Sequence, residues 1–175
     1  NRARWYLETL PAWDGVARVE RVFKKPSNGR KFAAFLNDAI ARAFHPGCTL
    51  GRTLVLEGPQ GTCKSRFLCA LGGGELYHVV GLNEPHEHEP APPSAWIAEW
   101  AIGVDDLHLA PQRTKSFLTR THERAPYAHA STPRALVLAI TTNDATFHEI
   151  ARVSRWYRVI RSRGKFPVNF IQAHR

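Results

Sequence analysis

The stretch "LEGPQGTCKSRF" (56–67) decides how this chain folds. It departs at one position from G-x-x-x-x-G-K-[ST], the loop whose backbone N–H groups cradle phosphates. Gly58 opens the pattern, Lys64 and Ser65 close it, and Cys63 stands where the second glycine belongs. The flanks fit the pattern. "RTLVLEG" (52–58) is a short apolar run ending in glycine, as a buried parallel strand reads. "KSRFLCALGGG" (64–74) reads as a short helix closed by glycine. A strand, a glycine-bearing loop and a helix are the context that a phosphate loop requires.

The chemistry of such a loop assigns a task to each residue. The turn 58–63 aims backbone N–H groups at a phosphate chain, and the next helix adds its dipole. The candidate nucleotide-binding residues are Gly58, Pro59, Gln60, Gly61, Thr62, Cys63, Lys64, Ser65 and Arg66. Lys64 is expected to reach the β- and γ-phosphates and the Ser65 hydroxyl to bind Mg²⁺, so ATP and Mg²⁺ are the expected cofactors. The side chain at Cys63 costs little if its backbone is near αR, and roughly 1–2 kcal/mol if φ must be positive. Gly61 still supplies one flexible point. Binding is therefore expected to survive, and hydrolysis is left open.

The bulk composition sets the frame. The 175 residues imply one domain with a single sizeable core, and 43% hydrophobic residues imply a folded globular unit. The chain starts at Asn1 and contains no Met, which reads as a piece excised from a longer chain. Lys and Arg number 24 against 15 Asp and Glu, a formal charge of +9 that favours a polyanionic partner, nucleic acid above all. Cys48, Cys63 and Cys69 show no C-x-x-C spacing, which points to reduced thiols in a cytoplasm-like compartment. No apolar run reaches 18 residues, so no membrane span is expected.

Around the loop, helical spacing runs over 1–10 and again over 29–44, where Phe32, Phe35, Leu36, Ala39, Ile40 and Ala43 share a face. Further strands are expected at 95–104, 134–144 and 154–163, and a helix over 110–124. This alternation implies an α/β fold with a parallel sheet flanked by helices. Residues 1–50 form a helical lead-in, and 51–175 form the core. The five tryptophans read as packing residues. "HEHE" (86–89) lacks a second ligand pair and argues against a zinc site.

A nucleotide hydrolase also needs an acid at the end of a neighbouring strand, to hold the metal's water or orient the attacking one. Glu99 follows "AWIA", and Asp105 with Asp106 follow "AIGV". Both placements are open from the residues alone. A polar residue ending the next strand often senses the γ-phosphate, and "LAITTN" offers Thr141, Thr142 and Asn143.

Taken together, these segments resemble the virulence-associated protein E family, the P-loop ATPase domain of phage and plasmid replication proteins. That family is related to superfamily 3 helicases and AAA+-like ATPases. The resemblance runs in order through "YLETLPAWDGVARVERVF", "ARAFHPGCTLGRTLVLEGPQGTCKSRFLCALGG", "AWIAEW", "TKSFLTRTHERAPY", "PRALVLAITTN" and "SRWYRV". It implies that Glu99 is the Walker B acid, that Asn143 is the sensor, and that Arg155 is an arginine finger or sensor acting across subunits. Lys64, Glu99, Asn143 and Arg155 then form the implied catalytic set. Three positions depart from the family pattern: Cys63, Ile102 where a second acid is usual, and Ser154 where a first arginine is usual. The resemblance further implies a homo-oligomeric ring on single-stranded or forked DNA, a fused or associated primase, and the cytoplasm of a bacterial host. Lys115, Arg120 and Arg124 are the candidate DNA-facing residues. Two other functions compete: a degenerate module that holds nucleotide with little turnover, and a nucleic-acid-binding domain that uses none.

Overall fold

The computed structural model describes residues 1–80, 94–101, 111–123, 131–149 and 155–174. In chain order the elements are α1 (Arg2–Glu8), a 3₁₀ turn (Val19–Arg21), α2 (Pro26–Phe44), β1 (Thr53–Glu57), α3 (Lys64–Leu71), β2 (Tyr77–Val79), β3 (Ile97–Ala101), α4 (Pro111–Thr119), β4 (His122–Glu123), β5 (Thr132–Pro133), β6 (Val137–Thr142), β7 (Tyr157–Arg161) and α5 (Val168–Ala173). Five strands form one sheet in the order β2-β3-β6-β1-β7, and every neighbouring pair is parallel. β4 and β5 form a separate antiparallel pair.

The two-residue period of the strands sorts the apolar side chains into two layers. Leu54, Leu56, Ile97, Val137 and Ala139 face the layer of α1, α2, α3 and α5. Val55, Ala98, Trp100, Leu138 and Ile140 face the opposite layer, with Phe117 of α4 and Phe147. Burial on both faces explains why these strands read as continuous apolar runs. Phe32 and Phe35 of α2 lie in the same cluster as Leu54 and Phe67, so the first helices pack directly on the sheet. The rings of Phe23, Phe32, Phe67 and Phe166 meet at centroid separations of 5.3 to 6.2 Å.

Several boundaries differ from expectation. Pro26 opens α2 at its first turn, three residues before the expected start. Gly29 then sits inside the helix, because a Cβ there would lie 2.4 Å from the Glu20 carbonyl oxygen of the 3₁₀ turn. α4 ends at Thr119, and His122–Glu123 turn into a strand where helix was expected. The cause is tertiary. Arg134 N donates to Thr121 O (2.8 Å), and Arg42 Nη2 donates to Arg120 O (3.4 Å). Arg134 itself is buried, ion-paired with Glu123, and donates from Nη1 to Phe117 O (2.9 Å). Burial, partly offset by Glu123, pulls its pKa down to about 10, so it stays charged near neutrality. β2 and α5 correspond to no expected element. Of the tryptophans, Trp96 and Trp100 are buried, but Trp5 and Trp13 are 68% and 77% exposed and are not core residues. "HEHE" (86–89) lies outside the described residues.

Candidate nucleotide-binding site

The loop leaves the C-terminal edge of the sheet where β1 ends. Gly58 has to be glycine, because a Cβ there would lie 2.4 Å from Ser162 O. Its N–H donates to Thr142 O (3.2 Å), which ties the loop's first residue to the end of β6. Thr62 turns inward: Oγ1 donates to Pro59 O (2.8 Å), and its carbonyl accepts from Phe166 N (2.8 Å). Gly61 on one side has φ +81°, and Cys63 on the other has φ 64° and ψ 30°. Cys63 is the one non-glycine residue with positive φ among the described residues. The position reserved for glycine in the loop pattern thus keeps the left-handed backbone that glycine would adopt, with a thiol on it. Cys63 also caps α3 and makes no side-chain capping bond. The first N–H groups of that helix are therefore not satisfied by its own cap.

Lys64 is the first residue of α3, and its ammonium folds back over the loop. It lies 2.7 Å from Gly58 O, 3.0 Å from Pro59 O, 3.3 Å from Thr62 Oγ1 and 2.8 Å from Asn143 Oδ1. Burial lowers its pKa, and nearby Glu99 acts in the opposite direction. Lys64 and Asn143, 79 residues apart in sequence, therefore meet.

Glu99 lies at the middle of β3 and is 1% exposed. Ser65 Oγ donates to its Oε1 (2.7 Å), Thr141 Oγ1 donates to the same oxygen (2.5 Å), and Tyr77 OH donates to Oε2. Three hydroxyls thus satisfy a carboxylate that would otherwise be costly to bury. Burial and the hydrogen bond to Glu99 push the Tyr77 phenol well above its ordinary pKa. A hydroxyl backed by a carboxylate is a hard oxygen donor set of the kind Mg²⁺ uses. Ser65 with Glu99 behind it therefore fits that ion.

A cleft of about 860 Å³ opens in front of these groups. Gln60, Gly61 and residues 63–66 form one wall, and Ala101 with residues 141–144 form the other. Of the expected nucleotide residues, Gln60, Gly61, Cys63, Lys64, Ser65 and Arg66 line it, whereas Thr62 is buried behind. Asp105, Asp106, Ile102, Arg124 and Ser154 lie outside the described residues.

Arg155 is placed differently. It precedes β7, whose first residue, Tyr157, pairs with Thr53, whereas the loop follows Glu57, which pairs with Arg161. Arg155 therefore lies at the edge of the sheet opposite the loop, exposed, with its guanidinium over the Trp156 ring (5.1 Å). Lys115 Nζ lies over the same ring (5.0 Å). Arg120 is engaged within the fold: it pairs with Glu123 (3.4 Å) and lies over Phe117 (5.6 Å). Lys115 remains the exposed member of the DNA-facing candidates among the described residues.

Two polar residues of this region carried no motif signal. Tyr77 belongs to no pattern. Glu57 is a buried carboxylate just before the loop, with Arg161 Nε at 2.5 Å from Oε1 and His148 N donating to Oε2 (2.9 Å). An acid inside an apolar run was its only trace in the sequence.

The family model of the virulence-associated protein E-like domain matches residues 7–175. The chain belongs to this family. The virulence-associated protein E-like domain described here also superposes on the A-form apo structure of the NrS-1 C-terminal region, with TM-score 0.63, 13% identity, and coverage of 96% of this chain and 45% of that one. A second A-form apo structure of that region gives TM-score 0.61 and 14% identity, covering 93% and 43%. At such identity the likeness is one of fold, and the domain spans under half the length of those chains. No curated protein matches it.

Proposed function

We propose that this domain is the ATP-binding and ATP-hydrolysing motor of a phage- or plasmid-type DNA replication helicase or primase-helicase, built on a P-loop core. The observation that carries the reading is the convergence on one cleft of Lys64, Ser65 backed by Glu99, and Asn143. These residues come from the start of α3, from β3 and from the residue after β6, segments far apart in the chain that the sheet brings together. A buried cation held only by neutral oxygens, with helix N–H groups beside it, suits a phosphate chain.

In this reading Lys64 exchanges the loop carbonyls and Asn143 for phosphate oxygens, and Arg66 adds charge at the cleft wall. Ser65 and, through it, Glu99 would hold Mg²⁺, which would supply neutralisation of the charge on the phosphates. Asn143 is placed to orient whatever occupies the space in front of Lys64. The test is ATP hydrolysis with and without single-stranded DNA, in wild type and Lys64→Ala. Activity that disappears in Lys64→Ala supports the reading, and equal rates in the two proteins reject it.

A second reading, nucleotide binding with little turnover, is favoured by the left-handed backbone at Cys63, which a side chain disfavours. It predicts Lys64-dependent ATP binding with no hydrolysis, and faster hydrolysis in Cys63→Gly. A robust wild-type rate excludes it.

A further inference from the structure

We infer that Tyr77 is a positioning residue for the metal side of this site, holding Glu99 so that Oε1 faces Ser65. The inference rests on the nucleotide-site reading and adds to it a residue from β2, an edge strand outside every motif. A carboxylate's terminal torsion is broad and two-fold, so a group held at one oxygen still turns. Among the described residues, Glu99 Oε1 receives Ser65 and Thr141, and Oε2 receives Tyr77 alone. The phenol is therefore the contact that stops the carboxylate plane from rotating and fixes which oxygen supports Ser65.

The surrounding fold delivers Tyr77 to that point. α3 ends at Leu71 and is capped by Gly72, where a Cβ would meet the Tyr77 side chain at 3.0 Å and its backbone at 3.1 and 3.2 Å. The same helix thus carries Ser65 at its start and has its capping glycine close against Tyr77 of β2. Tyr77 pairs with Ile97, and Val79 pairs with Glu99, so Tyr77 and Glu99 share the face that α3 covers. Residues that hold a metal ligand from behind commonly govern metal affinity by about 10- to 100-fold.

The experiment titrates Mg²⁺ at fixed ATP, reading bound nucleotide by calorimetry, and repeats the ATP titration in EDTA. Wild type, Tyr77→Phe, Lys64→Ala and Tyr157→Phe are compared; Tyr157 packs on Phe147 across the sheet and controls for loss of a phenol hydroxyl. The expected result is a Mg²⁺ midpoint raised about 10- to 100-fold in Tyr77→Phe, unchanged ATP affinity in EDTA, and no change in Tyr157→Phe. A wild-type midpoint in Tyr77→Phe, or an equal loss with and without Mg²⁺, overturns the inference and leaves the nucleotide site standing. Absence of Lys64-dependent ATP binding in wild type overturns both. If Tyr77→Phe does not fold, Gly72→Ala displaces the phenol without deleting it, and its Mg²⁺ midpoint must rise for the inference to hold.

Discussion

At Cys63 the backbone φ of 64° joins a side chain to a conformation that disfavours one. The left-handed region costs an L-residue about 1–2 kcal/mol, and glycine offsets part of that by losing about 0.5–1 kcal/mol more chain entropy on folding. Cys63→Gly is therefore expected to stabilise the domain by up to about 1 kcal/mol, a rise in melting temperature of about 2–4 °C for a chain of this size. Thermal unfolding measures it, and a fall in melting temperature would show that the thiol contributes more than its strain costs. The loop pattern located this residue in the sequence, but residue type alone could not say which way its backbone turned. Tyr77 gives a pH dependence whose sign follows from linkage. Its folded pKa is raised by burial and by Glu99, so above pH 10.0, its ordinary value, the unfolded phenol ionises while the folded one stays protonated. The stability that this group contributes is present below that pH and is lost as pH rises past it. The stability advantage of wild type over Tyr77→Phe in urea unfolding should shrink between pH 9 and 11, and a growing gap would contradict the assignment.

At the scale of elements, what could be read was what local pattern encodes. β1, β3 and β6 stand out because burial on both faces leaves them uniformly apolar, and α2 because its apolar side chains repeat along one face. β2 has three residues and β4 and β5 two each, too short for any period to register. The end of α4 is set by Arg42 and Arg134, more than ten residues away in the chain, and local helix propensity says nothing of them. The site divides the same way: Lys64 and Ser65 follow from motif positions, Glu99 needed the family resemblance to be preferred over Asp105 and Asp106, as Asn143 did over Thr141 and Thr142, and Tyr77 needed the sheet. Gly29 tests this contrast with a reversal of sign. In a helix interior Gly→Ala ordinarily gains about 0.8–1.0 kcal/mol. Here the new Cβ would lie 2.4 Å from Glu20 O, a backbone atom that cannot move aside alone. Gly29→Ala is expected to destabilise by about 1–3 kcal/mol, as overpacking does. Denaturant unfolding checks it, and stabilisation would show that the 3₁₀ turn yields freely.

For the whole molecule, the position of Arg155 limits what a single copy can do. From Thr53 to Glu57 the sheet advances four residues at about 3.3 Å each, roughly 13 Å, and Arg155 lies two residues beyond the Thr53 end of that span. The loop lies past the other end. If Arg155 stabilises charge on a transferring phosphoryl group, it does so in a neighbouring subunit, and a finger supplied in this way is worth 10³–10⁵ in rate. The stack of Arg155 and Lys115 on Trp156 presents two cations at one exposed edge. The consequence can be measured with two inactive proteins. Lys64→Ala keeps its arginine but lacks a working cleft, and Arg155→Ala keeps its cleft but lacks the arginine. Mixed at equal concentration, neighbours form in which one subunit's intact Lys64 faces another's intact Arg155. Hydrolysis should then reappear at a clear fraction of the wild-type rate and grow with total protein concentration. If the mixture stays as inactive as its components while size-exclusion shows mixed oligomers, Arg155 has no role across the interface, and its distance from the loop leaves it none within the subunit.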